Sequence, residues 1–73
     1  MTWDYRLIRN RHGGVSVHEV YYNENEQVKF WTEHAMAVSG ENRKDCLSVY
    51  LMMHEAFKKP VLSLDRLEKG LRG

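Results

Sequence analysis

The sequence contains only one cysteine among its 73 residues, and this scarcity limits how so short a chain can be stabilised. Cys46 has no second cysteine for an internal disulfide, and the four histidines do not combine with it into the Cys/His array of a structural zinc site. Chains of this length rarely gain more than roughly 3–5 kcal/mol from a single core and often need a further support. A partner subunit is the support that remains, so we expect a homodimer.

Long apolar runs and an excess of either charge are also missing. Asp4 and Arg6 interrupt the apolar residues near the start, so we expect neither a signal peptide nor a membrane span there, no membrane partner and a cytoplasmic location. Eleven Lys and Arg against ten Asp and Glu leave a net charge of +1, far from the basic balance of proteins that bind phosphates. Nucleic acid is therefore a disfavoured partner.

The first half of the chain has the alternation of β-strands. Trp3, Tyr5 and Leu7 alternate with charged residues, which is the period of a strand with one buried face. The pair Gly13-Gly14 offers the backbone freedom that a tight reversal needs. Hydrophobic residues make up 42% of the chain, and two domains would each be too small to bury a core. The sequence predicts a single domain, 1–73, that begins with antiparallel strands at about 2–10, 14–22 and 27–38.

The second half changes to a helical period. From Asn42, which can cap a helix, apolar residues recur on one stripe that we expect to face the sheet: Cys46, Val49, Tyr50, Met53 and Phe57. Pro60 disfavours helix before it, so the helix should span about 42–59, and a short C-terminal helix should follow at about 64–70. The predicted fold class is α+β, a three-stranded antiparallel β-meander packed on one long α-helix (βββα), plus a short C-terminal helical turn.

Catalytic chemistry finds little support in the sequence. His18-Glu19 and Glu33-His34 are neighbours on strands, so each pair points to opposite faces and only His18 with His34 could share a site. Two ligands fall short of a zinc site. Cys46, near a helix N-terminus, could be a nucleophile, but a cysteine on an apolar stripe is usually a small core residue. We expect no catalytic residue, no metal and no cofactor.

Aromatic residues are the main functional signal. Six of them fall on the three predicted strands, and because side chains alternate along a strand they cannot all face one helix: Trp3, Tyr5, Tyr21, Tyr22, Phe30 and Trp31. They could simply stabilise the sheet as cross-strand pairs, or anchor a protein interface on the open face. Bases could also stack on them, with Arg6, Arg9, Arg11 and Lys29 nearby. The register of the second strand, which decides which rings are exposed, stays open.

The expected binding residues are five of these aromatics with charged residues beside them. They are Trp3, Tyr5, Arg6, Arg9, Glu19, Tyr21, Tyr22, Lys29, Trp31 and Glu33.

Two resemblances bear on function. Three strands, a Gly-Gly reversal and a Ser-Gly step into one amphipathic helix resemble the HicB-type antitoxin domains over residues 3–58. The strings Tyr5-Arg6-Leu7-Ile8, His18-Glu19-Val20-Tyr21-Tyr22, Trp31-Thr32-Glu33 and Lys59-Pro60-Val61-Leu62 resemble a group of short uncharacterised bacterial and phage proteins. The resemblance implies a context in which tiny proteins occlude a larger protein, and it carries no activity to particular residues.

The functional expectation is a non-enzymatic protein-binding module. Its partner would be a larger bacterial protein, which the module would occlude as an inhibitor of the antitoxin, anti-CRISPR or anti-defence type. A small nucleic-acid-binding domain that uses sheet aromatics is one alternative, and a dimeric structural protein is another.

Overall fold

The computed structural model describes residues 2–72 of the chain and the side chains of residues 2–70. Its fold is α+β, as expected, with a curled, mixed four-stranded sheet and two helices. The strands are β1 Thr2–Arg9, β2 Val15–Tyr22, β3 Val28–Trp31 and β4 Leu62–Ser63. The helices are α1 Arg43–His54, prolonged by a 3₁₀ turn Glu55–Lys58, and α2 Leu64–Arg72. The order in the sheet is β3-β2-β1-β4, so the meander on a single long helix is not confirmed.

The turn between β1 and β2 is built by one asparagine and one glycine. The Asn10 side-chain oxygen accepts hydrogen bonds from the backbone N–H of His12 at 2.9 Å and of Gly14 at 3.0 Å. Gly13 has φ +91°, a left-handed conformation that side chains with a Cβ rarely adopt. The turn sets the register of the hairpin, in which Trp3 lies opposite Tyr21. That register decides which aromatic side chains share a face.

The third strand is shorter than the predicted range 27–38. After Trp31 the chain stays beside β2, because Thr32 N–H donates to the Glu19 carbonyl at 3.0 Å and Met36 N–H donates to the Val17 carbonyl at 2.8 Å. The chain thus advances four residues, from Thr32 to Met36, while β2 advances only two, from Glu19 to Val17. A regular ladder would pair the two strands one residue for one. The surplus is taken up by a bend at Glu33 and His34, which ends the strand.

The fourth strand corrects the expected all-antiparallel sheet. Leu62 and Ser63 pair in parallel with Ile8 and Arg9, so β4 covers the outer edge of β1. Two residues are too few to show any alternation, so the sequence pattern did not indicate a strand there. β1 is therefore flanked by strands on both sides at Ile8 and Arg9.

Helix α1 begins as expected and ends differently. The Asn42 side-chain oxygen accepts a hydrogen bond from the Asp45 N–H at 2.9 Å, which is an N-cap. The last four residues tighten to a 3₁₀ turn, where side chains three apart lie in line. Ala56 is therefore buried behind the buried Met53, and Phe57 is turned outward. The prediction that Tyr50 and Phe57 face the sheet was wrong, since both are more than half exposed.

The core is small and lies on both sides of β1. Within residues 2–70, the buried apolar side chains are Leu7, Ile8, Val20, Met53 and Ala56. Leu7 and Ile8 are neighbours on a strand and point to opposite faces, so both faces are covered. Val17, which lies opposite Leu7, lines a cleft with Met53 of α1, while Ile8 lines another with Leu64 of α2. The two helices thus pack on opposite faces of the sheet.

Candidate functional site

Four aromatic side chains form a continuous row across one face of the sheet. Phe30 of β3 stacks on Tyr21 of β2, with ring centroids 4.6 Å apart and planes 20° apart. Tyr21 contacts Trp3 of β1 at 6.1 Å, and Trp3 meets the edge of Tyr5 at 5.2 Å and 87°. Such stacked and edge-to-face pairs hold rings in fixed orientations. We call Phe30, Tyr21, Trp3 and Tyr5 the aromatic row.

The aromatic row is partly open to solvent. Trp3 is 41% exposed and Phe30 is 46% exposed, while Tyr5 and Tyr21 are half-buried. The register places these rings together, because Trp3 lies opposite Tyr21 and Tyr21 lies opposite Phe30. Residues opposite each other on neighbouring strands project from the same face. Local pairing therefore concentrates exposed aromatic surface at one end of the sheet.

A single carboxylate stands within the aromatic row. Glu19 lies opposite Tyr5, and the Tyr21 hydroxyl donates a hydrogen bond of 2.7 Å to its Oε1. This hydrogen bond raises the pKa of Tyr21, because it stabilises the protonated phenol. Burial raises the pKa of Tyr5, and the negative charge of Glu19 adds to the effect. The face therefore combines aromatic surface with negative charge.

Arg6 and Tyr22, also expected to bind a partner, lie on the opposite face in a polar network. Tyr22 donates to Asp4 Oδ1 at 2.7 Å, and Arg6 donates to the Tyr22 hydroxyl at 3.1 Å. Arg6 also donates to the Pro60 carbonyl at 2.9 Å, and Lys59 forms an ion pair with Asp4. These contacts fasten the segment after α1 to β1. Arg6 and Tyr22 are thus engaged within the fold.

The network predicts a loss of stability at alkaline pH. Burial raises the pKa of Tyr22 above 10.0, the hydrogen bond to Asp4 raises it further, and Arg6 acts in the opposite direction. The unfolded chain then loses this proton first, so the contribution is complete below pH 10.0 and is lost as the pH rises beyond it. Urea unfolding on either side of that pH should show a falling free energy of unfolding. Tyr22→Phe should flatten the fall, and an unchanged slope in that variant would contradict the assignment.

The remaining predicted residues are dispersed. Trp31 is half-buried and lines a cleft with Ile8 and the exposed Glu33 on the α2 side. Lys29 is exposed at the irregular register between β2 and β3, and Arg9 is exposed near the end of β1. The structure therefore brings together Trp3, Tyr5, Glu19 and Tyr21 of the ten predicted residues.

Phe30 belongs to the row but was not among the predicted binding residues. Its pairing with Tyr21 depends on a register shift, because Tyr22 pairs with Val28 and Lys29 is the extra residue between them. A regular ladder continued from the pair Tyr22 and Val28 would place Lys29 opposite Tyr21. The available signal was only that Phe30 is aromatic and lies on a predicted strand.

His18 has a structural environment. Its Nδ1 lies 2.8 Å from the Thr32 carbonyl oxygen, and because a carbonyl only accepts, Nδ1 donates this hydrogen bond. Ser16 Oγ lies 2.9 Å from Nε2, so both ring nitrogens have partners. His18 and His34 line the same cleft. In the part of the chain that the structure describes, no three His, Cys, Asp or Glu side chains are grouped as metal ligands would be.

Comparison with other proteins does not assign this chain to a family. None of the helices within residues 2–72 has the length and apolar character needed to cross a bilayer. Comparison of the chain with protein-family models gave no match, and comparisons with curated proteins and with solved structures gave none either.

Proposed function

We propose that the chain is a non-enzymatic protein-binding module whose contact surface is the aromatic row. The observation that carries this proposal is the continuity of four rings across three strands, with Trp3 and Phe30 more than two-fifths exposed. Trp and Tyr are the residues that most often anchor protein interfaces. Rings already held by stacking on a sheet lose little conformational freedom when a partner binds.

The chemistry of the row favours a partner segment that carries arginine or lysine. A cation is attracted to the faces of Trp and Tyr rings, and a guanidinium also stacks on them. Glu19 places a carboxylate beside two of these rings. An arginine could therefore stack on Trp3 or Tyr21 and pair with Glu19 at the same time. Aliphatic neighbours of that arginine would cover Phe30.

The negative charge of Glu19 also disfavours nucleic acid, the second candidate partner. Glu19 would repel phosphates from the row. Of the basic residues considered for this role, Arg6 is engaged on the opposite face, and Arg11 forms ion pairs with Asp65 and Glu68 of α2. Bases could stack on the rings, but of the other two basic residues Arg9 lies at the far end of β1 from Trp3 and only Lys29 is next to a ring of the row in sequence.

A biological role follows from the resemblance to short bacterial and phage proteins. Such a module would act as an inhibitor of the antitoxin or anti-defence type, by covering a surface of a larger bacterial protein. A rigid aromatic row suits this role, because an inhibitor that covers a surface needs affinity for it but no catalytic residue.

Tryptophan fluorescence offers a direct test, since the chain has two tryptophans. In a Trp31→Phe variant, Trp3 is the reporter within the row. We expect its emission to change when a short peptide that alternates arginine with leucine binds. The affinity for a peptide that alternates glutamate with leucine should be at least about tenfold lower. Single-stranded DNA should cause little change.

Further substitutions distinguish binding at the aromatic row from nonspecific binding to apolar surface. In the same background, Phe30→Ala and Glu19→Gln should each lower the affinity for the arginine peptide by roughly tenfold, the usual effect of removing an interface anchor. Val15→Ala is the matched control, because Val15 is exposed on the same face at the far end of β2. Equal affinity for both peptides would contradict the proposal, and preferential binding of DNA would favour the nucleic-acid alternative.

A further inference from the structure

Helix α1 exposes a second apolar surface that the sheet does not cover. Leu47, Tyr50 and Leu51 are each more than half exposed and lie on one side of the helix, and Phe57 follows on the 3₁₀ turn. These four residues are called the α1 face. The opposite side of the helix already packs inward through Met53 and Ala56. Helix α1 is therefore apolar on two sides, which is typical of a helix buried between two layers.

An open apolar cleft adjoins the α1 face. Its volume is about 480 Å³, and its lining includes Val17, Met36, Val38, Tyr50, Met53 and Phe57. The cleft lies between the helix and the irregular segment after β3. It is large enough to receive one or two apolar side chains from outside.

Charge is absent along this stretch of the helix. Residues 46–54 include no Asp, Glu, Lys or Arg, whereas Arg43 and Lys44 precede them and Glu55, Lys58 and Lys59 follow. Depletion of charge at the centre, with charged residues at the margins, is the composition of an interface core and its rim.

The exposed apolar area approaches what a stable dimer needs. A half-exposed Leu, Tyr or Phe leaves on the order of 100 Å² in water, so the α1 face with Val38 presents roughly 400–500 Å². A standard interface buries about 800 Å² on each partner, part of it polar rim. The intramolecular core is small by comparison, so covering this area would add substantially to stability.

We propose that the α1 face is a self-association interface, occupied by the α1 face of a second copy of the chain. The two helices cross in antiparallel orientation near Leu51, so the same residues serve both sides of a two-fold axis. Apolar side chains of one copy enter the cleft of the other. The charged ends diverge from the crossing point when helices pack at the usual inclined angles, which keeps like charges apart. This interface is distinct from the aromatic row and does not depend on the function proposed for it.

Solution mass measured against concentration tests the proposal. Light scattering after gel filtration should show the wild-type mass rising from 8.7 kDa toward twice that value as concentration increases. Leu47→Lys with Leu51→Lys should shift the dissociation constant at least about a hundredfold, toward monomer. Met52→Lys is the matched control, because Met52 is half exposed but lies about 140° around the helix from Leu47, outside the α1 face, and it should dimerise as the wild type does. Circular dichroism should show that both variants keep their helix.

A cross-link identifies the occupant as a second copy in this orientation. In a Cys46→Ser background, Leu51→Cys should form a disulfide-linked dimer under the thiol oxidant diamide, and Ser48→Cys should not. Phe30→Ala should dimerise normally. A wild-type protein that stays at 8.7 kDa at all concentrations would overturn the proposal. So would loss of the dimer in Phe30→Ala, or equal cross-linking at positions 48 and 51.

Discussion

Replacing Ile8 by alanine is expected to leave most of the protein unfolded under native conditions. Ile8 is only 2% exposed and lies on β1 between β2 and β4. Truncation of a buried isoleucine to alanine costs about 2–5 kcal/mol, because burial is lost and a cavity remains. A single core in a chain of this length rarely supplies more than roughly 3–5 kcal/mol in total. The change is therefore comparable with the whole stability of the fold.

Urea unfolding followed by circular dichroism measures this effect. Ile8→Val removes one methyl group and should cost only about 0.5–1.5 kcal/mol, so it should remain folded with a lower midpoint. Val15→Ala, at an exposed position of the neighbouring strand, should change the free energy of unfolding little. If Ile8→Ala were no less stable than Ile8→Val, Ile8 would not lie in a packed core.

Two glycine-to-alanine substitutions are expected to have opposite signs. A Cβ on Gly40 would stand 2.5 Å from the Cys46 backbone nitrogen and 2.8 Å from the Asp45 carbonyl carbon. Backbone atoms cannot rotate away as a side chain does, so the entry to α1 would have to shift. We expect Gly40→Ala to lower the free energy of unfolding by about 1–3 kcal/mol, the range of overpacked sites.

Gly70→Ala is the matched comparison within α2. A Cβ there meets no atom within 4 Å, and alanine favours helix over glycine by up to about 1 kcal/mol. Chemical denaturation of the two variants should therefore shift the midpoint in opposite directions. A shift in the same direction for both would contradict the close approach of Gly40 to the first turn of α1.

The elements that could be predicted are those specified by neighbouring residues. The alternation around Trp3 and Tyr5 indicates β1, and these two rings must share a face because they are two residues apart. Asn42 indicates the start of α1, since a cap depends on one side chain and the N–H three residues later. These interactions are local, so a sequence pattern contains them.

The features that escaped prediction depend on distant or irregular pairing. The two residues of β4 acquire their conformation from β1, far away in sequence. Tyr21 joins the aromatic row through the register set at Asn10, and Phe30 joins through the extra residue Lys29. The outward position of Phe57 follows from the tightened last turn of α1. Periodicity alone describes regular elements and misses such changes of register.

The parallel pairing of β4 with β1 also has a consequence for the order of folding. The hairpin of β1 and β2 closes a short loop, whereas the Arg6–Pro60 hydrogen bond beside β4 joins residues 54 apart. Closing the longer loop costs more entropy, so this edge should be completed late. On a ribosome, β1 would emerge well before its outer neighbour is synthesised. Until then the free N–H and C=O groups of its outer edge could pair with another nascent chain, and β4 ends that exposure at Ile8 and Arg9.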